Sequence, residues 1–438
     1  MPDLKQIARR IFQQTLAAID VHAAFQRKVI RAGSLVDCGG IQVDLAAHQR
    51  IVIVAFGKAS RAMTEGLLDA LAPDWRAEGV LCGPSPLPRE LPGFCAFVGG
   101  HPVPNEQSVA AAEAILELLA RCDERTLVFF LLSGGGSALV EKPLSPEIGL
   151  GDLQELNRVL VTCGASIDEI NAVRKHFSVV KGGRLAAAAP RATKITLGIS
   201  DVPPDKESAL ASGPTLPDPT TVEDAYRVVA KYNLLGKLPG SARAQIERRA
   251  LRETPKAGDP AFARSHFVLV MGLDDLFHPA HRAAQAAGFL VHCDNSTDDW
   301  ALPRAADELL ARLEELRRMY PRSPVGLIAD GEVSSPVTGS GVGGRNSAFV
   351  LYCAEKIAHR PIAVLSAGTD GIDGNSPAAG AVADGSTFER ARAAGLDPQD
   401  YFCRSDAYTF FAHLGDAIET GPTGTNLRDL RILLAAPE

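Results

Sequence analysis

The stretch IVIVAFGKASRAMTEGLLDAL, Ile51 to Leu71, changes character at one glycine. Before Gly57 the residues are apolar and largely β-branched, the pattern of a short strand buried on both faces. After it, SRAMTEGLLDAL runs at helix period. Gly57 permits the tight turn between them, and Ser60 is placed to cap the helix N-terminus, whose dipole points at the same spot as Lys58. The same alternation recurs in FCAFV then EQSVAAAEAILELL, in TLVFFLL then GGSALV, and again at KITLGIS. Strands that alternate with helices predict βαβ units and a Rossmann-like parallel sheet covered by helices on both faces.

A second α/β series begins near Ser265 with HFVLVM, continues through LVHCDN and VGLIADGEV, and ends with IAVLSAG. A chain of 438 residues with 46% hydrophobic residues exceeds one core, so two α/β domains are expected. The segment from Leu238 to Arg264 loses strand character and gathers Pro, Gly and charge, which places the domains at 1–245 and 265–438.

Composition narrows the partners. A net charge of −7 argues against nucleic acid and anionic membranes, while a small anion needs only a local basic cluster. There is no run of 18 apolar residues, and MPDLKQIARRIFQQ has charges where a signal peptide needs an apolar segment, so the cytoplasm is the expected compartment. The eight cysteines lack zinc-type spacing and read as reduced, mostly buried thiols.

In parallel α/β sheets, ligands bind beyond the carboxyl ends of the strands, and the polar, glycine-rich segments fall there. Lys58 in AFGKAS is placed to meet an anion, although no Walker A pattern is present. Ser133, Gly134, Gly135, Gly136 and Ser137 follow an apolar strand and offer backbone amides and hydroxyls to phosphate or carboxylate oxygens. In SIDEINAVRKHFSVVKGGRLA a capping box at Ser166 and Glu169 starts a helix. Asn171, Arg174, Ser178 and Lys181 share one face of it, beside a buried stripe; Lys175 and His176 add donors. Such a basic stripe is equally the solvated side of a surface helix. Asp201 and Asp205 lie in a proline-stiffened turn suited to Mg²⁺ or to accepting a hydroxyl proton. His101 in GGHPVPNE is a further donor, and TGPTGTN near the C-terminus carries Thr423, Gly424, Thr425 and Asn426.

GSGVGGRNS, Gly339 to Ser347, fits G-x-G-x-x-G through Gly339, Gly341 and Gly344, with Asp370 after the next apolar run, the outline of a dinucleotide site. SSPVT, however, separates the strand from the first glycine, and Arg345 follows the last one. A guanidinium there suits terminal phosphate oxygens or a carboxylate.

Taken in order, AFGKAS, GGHPVPNEQS, LLSGGGSAL, INAVRKHFSVVKGGRLA, SDVPPDKESALASGPT, GLIADGEVSSPVTGSGVGGRNS, SAGTDGIDGNSPAAGA and TGPTGTN resemble the class II glycerate 2-kinase family, from about Ile51 to Leu430. Its C-terminal half is a MOFRL domain, and members are often labelled hydroxypyruvate reductase. The resemblance implies ATP-dependent phosphorylation of D-glycerate at the 2-hydroxyl, with Mg²⁺, the alternative being NAD(P)H-dependent reduction of hydroxypyruvate. It implies catalytic roles for Lys58, Asp201 and Arg345, with Asp201 and Asp205 at the metal. Substrate or phosphate contacts would come from the Ser133–Ser137 turn, Arg174, Lys175 and His101. Nucleotide contacts would come from Gly339, Gly341, Gly343, Gly344, Asn346, Asp370 and Thr423 to Asn426. The partner is a small molecule, and the sequence is compatible with a homodimer. The segment FCRSDAYTFF departs from the family pattern at Arg404 to Asp406.

Overall fold

The computed structural model describes residues 3–202 and 206–437. An antiparallel meander comes first, with β1 (Val29–Ala32), β2 (Leu35–Cys38) and β3 (Ile41–Asp44). Six parallel strands follow: β4 (Arg50–Phe56), β5 (Glu78–Gly83), β6 (Phe94–Val98), β7 (Thr126–Leu132), β8 (Thr193–Ile199) and β9 (Ser265–Met271). Their order is β6-β5-β4-β7-β8-β9, so the chain winds outward on one side of β4 and then returns to wind outward on the other. This is the strand order of dinucleotide-binding folds, and its reversal lies between β4 and β7. All seven residues of TLVFFLL in β7 are buried, as a central parallel strand requires.

The other large sheet is mixed. It contains β10 (Leu290–Asp294), β11 (Val325–Asp330), β12 (Ile362–Gly368), β13 (Gly380–Asp384), β14 (Ala417–Ile418) and β15 (Asp429–Ala435), in the order β10-β11-β15-β12-β13-β14. β15 runs antiparallel between β11 and β12 and is buried along its whole length. A continuation of the purely parallel pattern is therefore not found here. The last strand of the chain inserts at the centre, because DLRILLA has both faces apolar enough to sit between two layers of helices.

The chain forms two compact units, one from Val21 to Met271 and the other from Gly272 onward together with the first helix, Leu4–Ala18. This differs from the expected division into 1–245 and 265–438 at both ends. β9 is the sixth strand of the first sheet, with Ser265 opposite Lys194, and the polar segment before it carries the helix Gly240–Glu247 of the same unit. The first helix buries Leu4, Ala8, Ile11, Phe12 and Thr15 along one stripe that packs on β12, β13 and β15. Lys5 and Arg9 reinforce it: the Lys5 Nζ lies 3.1 Å from Asp416, and Arg9 donates to the carbonyls of Gly415 and Ala417. Among the described residues, no helix is long and apolar enough to cross a membrane. Four cysteines are buried, but Cys95, Cys293 and Cys403 are exposed.

Phe12 has no exposed surface. Truncating it to Ala is expected to cost about 3–5 kcal/mol. Hydrogen exchange followed by mass spectrometry should show faster exchange in β12 and β15 with β4 and β7 unchanged; acceleration in β4 and β7 instead would contradict the division into units.

Candidate active site

The first unit concentrates polar groups where its strand order reverses. Gly57 leaves β4 at φ +128°, and a Cβ there would lie 2.1 Å from the Ser133 Oγ and 2.6 Å from the Ser133 carbonyl oxygen. Only glycine permits that approach. The two loops then interlock. The Lys58 N–H donates to the Gly134 carbonyl (2.9 Å), and the Ala59 N–H donates to the Ser133 Oγ (3.0 Å). Ser60 is the first residue inside the helix Ser60–Leu71 and makes no cap bond; the hydroxyl that serves this turn comes from Ser133. A Cβ on Gly135 (φ +80°) would fall 2.9 Å from His101 Cδ2 and 3.4 Å from Lys58 Cγ. Lys58, His101 and the glycine turn are thus immediate neighbours.

Behind this turn lies the helix Ile167–Phe177, started by the Ser166–Glu169 capping box. Its polar stripe faces inward and is not the solvated side. Ser212 Oγ pairs with Ser137 Oγ (2.7 Å) and donates to Asn171 Oδ1 (3.3 Å). Lys181, 1% exposed, donates to the Ser137 carbonyl (2.8 Å) and pairs with Glu141, which also accepts from Ser178 Oγ (2.6 Å). Burial outweighs the Glu141 charge and brings the Lys181 ammonium down to about 8. The Arg174 guanidinium is likewise lowered by burial, against the pull of Glu141, and its Nε has no hydrogen-bond partner among the described residues. Lys175 takes another course: its ammonium is buried against Asp218 at 3.0 Å, and Asp218 also accepts from Thr220 and Thr254. Lys175, read from the sequence as a ligand contact, thus already has a buried counter-ion.

Asp201 follows β8 and is half-buried; Asp205 lies outside the described residues. The segment ahead of Gly213 holds Ala211 and Ser212 at φ 49° and 62°, in the left-handed region, and presses Ala211 against Gly136, where an added Cβ would stand 2.8 Å from the Ala211 Cβ. The serine-rich loop is therefore in contact with the glycine turn.

In the second unit the glycine loop has a different job from the expected one. The N–H groups of Gly341, Val342 and Gly343 donate to the Arg404 carbonyl (3.1 Å), Asp406 Oδ1 (2.9 Å) and Asn375 Oδ1 (2.8 Å). Those of Asn346 and Ser347, in the first turn of the helix Arg345–Lys356, donate to the buried carboxylate of Asp373 at 2.9 and 2.8 Å. The amides of Gly341, Gly343 and Asn346, expected to meet a nucleotide, are engaged within the protein, and an internal carboxylate fills the anion seat at the helix N-terminus. Gly339 packs on the Arg404 backbone and Gly344 on Asp373, where a Cβ would come within 2.3 Å of each. The atypical segment Arg404 to Asp406 is thus the bracket for this loop. The Asn346 side chain is buried and accepts from Ser366 Oγ (2.6 Å).

Arg345 emerges at the start of that helix. Its Nε and Nη2 donate to the two oxygens of Asp429 (2.6 and 3.3 Å) and its Nη1 to Glu332 (2.8 Å). These anions raise its pKa further against the opposing effect of burial. Asp429 opens β15, Glu332 lies just past β11, and Asp370 lies just past β12, so all three stand at one edge of the sheet. Arg428, at φ 86°, bridges Asp330 (2.8 Å) and Asp298 (2.5 Å), and the fully buried Arg431 donates to the Asp330 carbonyl (3.0 Å). Burial pushes the Asp330 carboxyl up to about 6 despite Arg428. The 420–426 loop rests on the same edge, with Thr423 Oγ1 donating to the Thr369 carbonyl (2.6 Å) and Asn426 Oδ1 accepting the Arg428 N–H (3.1 Å).

Sequence reasoning missed Asp298, Asp330, Glu332, Arg428, Asp429 and Arg431. The detectable signal was the charge in ADGEV and NLRDLR, each directly abutting an apolar strand.

A family model described as "Domain of unknown function (DUF4147)" matches residues 7–247, and one described as "MOFRL family" matches residues 325–429. The chain is 36% identical over 386 residues to a D-glycerate 2-kinase of Thermotoga maritima, covering 87% of this chain and 90% of that protein. It is 33% identical over 436 residues to a glycerate 2-kinase of Pyrococcus horikoshii, covering 99% and 97%. A crystal structure of a glycerate kinase from Thermotoga maritima superposes with a TM-score of 0.80 at 33% identity over all of both chains.

Asp330 gives a pH test. A carboxyl with a folded pKa near 6 and an ordinary unfolded value near 4 binds more proton when folded, so its contribution to stability declines as pH rises from about 4 to about 6. Asp330→Asn lacks this titration. The melting temperature of the variant relative to wild type is expected to be higher at pH 7 than at pH 4.5, read by calorimetry; an equal difference at both pH values would refute the burial of an ionised Asp330.

Proposed function

The chain belongs to the glycerate 2-kinase family with a C-terminal MOFRL domain, and from that premise we propose how its residues divide the work of phosphorylating glycerate at the 2-hydroxyl with ATP. The protein is a phosphotransferase, and D-glycerate is the enantiomer we assign. The observation that carries the residue assignments is the seat of Lys58: at the strand-order reversal, locked to the Ser133–Ser137 turn by a 2.9 Å hydrogen bond and flanked by His101.

Phosphoryl transfer asks a protein mainly for positioning and for neutralising charge on the phosphoryl oxygens. We assign Lys58 in the first unit to those oxygens and Arg345 in the second to a phosphoryl group of the nucleotide. The Ser133 and Gly136 amides are already engaged with the Phe56 and Ser133 carbonyls, so the Gly134, Gly135 and Ser137 amides are the ones assigned to the substrate carboxylate or a phosphate. Arg174 lends positive charge from behind the turn, and His101 donates to a substrate oxygen. Lys181 and Glu141 hold the turn through the Ser137 carbonyl and are positioning residues. Asp370 and the exposed residues Thr423 and Gly424 keep the nucleotide assignment.

Asp201 accepts the proton of the attacking hydroxyl or holds Mg²⁺. Mg²⁺ in kinases is usually bound by one or two carboxylates plus nucleotide phosphates. A half-buried carboxylate at Asp201 fits that pattern; among the described residues there is no cluster of three metal-ligating side chains. Mg²⁺ held there would supply positive charge to the phosphate oxygens. We place the protein in the cytoplasm and leave a homodimer compatible with this reading. Reduction of hydroxypyruvate by a nicotinamide cofactor is disfavoured, because the glycine loop that fits the dinucleotide pattern has its amides taken by Asp373, Asp406 and Asn375.

Purified protein is expected to release ADP with D-glycerate and to form 2-phosphoglycerate, identified by phosphorus NMR, while leaving NADH unoxidised with hydroxypyruvate. Lys58→Ala and Arg345→Ala are each expected to lower kcat by about two to three powers of ten, the usual loss of a transition-state charge contact. Turnover within tenfold of wild type would remove the residue from the catalytic set.

A further inference from the structure

Arg345 is held by more negative charge than it needs. Asp429, 5% exposed, takes both Nε and Nη2 and fixes the plane of the guanidinium. That one carboxylate neutralises the arginine. Glu332 then adds a second on Nη1 at 2.8 Å, and both side chains of this outer pair remain about a third exposed, at 34% for Arg345 and 38% for Glu332. The backbone under Glu332 is tied down, with its N–H on Asp298 Oδ1 (2.8 Å) and its carbonyl accepting the Asp299 N–H (2.9 Å). Release of Nη1 therefore has to come from the side chain.

Carboxylate and phosphoryl oxygens are alternative acceptors for the same guanidinium edge. An anion approaching Nη1 meets Glu332 first. Resting on the assignment of Arg345 to the phosphoryl group, we propose that Glu332 is a resident surrogate for that group: its carboxylate holds the outer edge of Arg345 until a nucleotide phosphate displaces it. Asp429 keeps the guanidinium oriented throughout the exchange. The pair Glu332 gives up is half-exposed and so weakly held. Displacement thus imposes the same cost on every anion that binds at Nη1, nucleotide phosphate and inorganic phosphate alike.

Glu332→Gln in the full-length protein removes the charge and keeps the shape. The expected result is a KM for ATP and an inhibition constant for inorganic phosphate that each fall by about 1.5-fold to fivefold, the worth of one half-exposed charge pair, with kcat little changed. Glu332→Ala should move both constants the same way. If Glu332 is instead a brace for Arg345, both variants will raise KM or lower kcat, as is expected of Asp429→Asn, and the surrogate role is overturned; unchanged constants overturn it as well. Should wild-type protein release no ADP, the kinase reading itself fails, and calorimetric titration of wild type and Glu332→Gln with inorganic phosphate still reads the surrogate directly, tighter binding by the variant supporting it and equal or weaker binding overturning it.

Discussion

The approach of Gly57 to Ser133 governs the geometry of the first unit. Two neighbouring parallel strands, β4 and β7, end side by side, and their loops leave toward opposite halves of the sheet. Any side chain at position 57 would collide with Ser133, so the loops stay in contact and the Lys58 backbone is fixed on Gly134. A lysine on a flexible stem is a poor positioning device by itself. Anchored at its root and walled by His101 and Gly135, it has far less freedom, and preorganised charge is what phosphoryl transfer uses.

The second unit solves a similar problem with buried ions. A central strand that opens with Asp429 and carries Arg431 at its third position would be unstable unless each charge met a partner. Asp429 meets Arg345, and Arg428 meets Asp330 and Asp298, while Arg431 reaches the Asp330 carbonyl and lies over the Phe349 ring with 5.0 Å to the centroid. Removing one partner from such a network leaves an uncompensated buried charge, which costs far more than the pair contributes. The network thus commits β15 to its register between β11 and β12 and, in doing so, sets Arg345 at the sheet edge. Asp373 acts to the same end by capping the helix on which Arg345 is the first residue.

The glycine loop shows how one local pattern serves two purposes. In a dinucleotide site the glycines bring backbone close to a pyrophosphate. Here they bring it close to protein: Gly339 and Gly341 to the Arg404–Asp406 segment, Gly344 to Asp373. The steric requirement is identical, a backbone without a Cβ beside another polar group, and the anion that fills the helix N-terminus is a carboxylate of the same chain.

Alternating apolar and helical periods were enough to read the α/β class, the strands of the first sheet and the loops at their carboxyl ends, because strand burial and helix amphipathicity are local properties. Lys58, the Ser133–Ser137 turn and Arg345 were legible for the same reason, each standing where a strand or a glycine turn gives way to a helix. Long-range pairing was not. Ser265–Met271 reads equally well as the first strand of a new domain or the sixth of an old one, and hydrogen bonding to Thr193–Ile199 settles it. The first helix shows its apolar stripe in Leu4, Ala8, Ile11 and Phe12, but which sheet lies beneath that stripe is a matter of contacts across four hundred residues. Lys175 and Arg174 are adjacent in sequence and similar in charge; their separate environments, one neutralised by Asp218 and the other half-buried near Glu141, arise from directions that differ by one helical step. Residue types and periods thus specified the elements and their functional ends, whereas partners for buried charge depend on three-dimensional neighbours that no local pattern encodes.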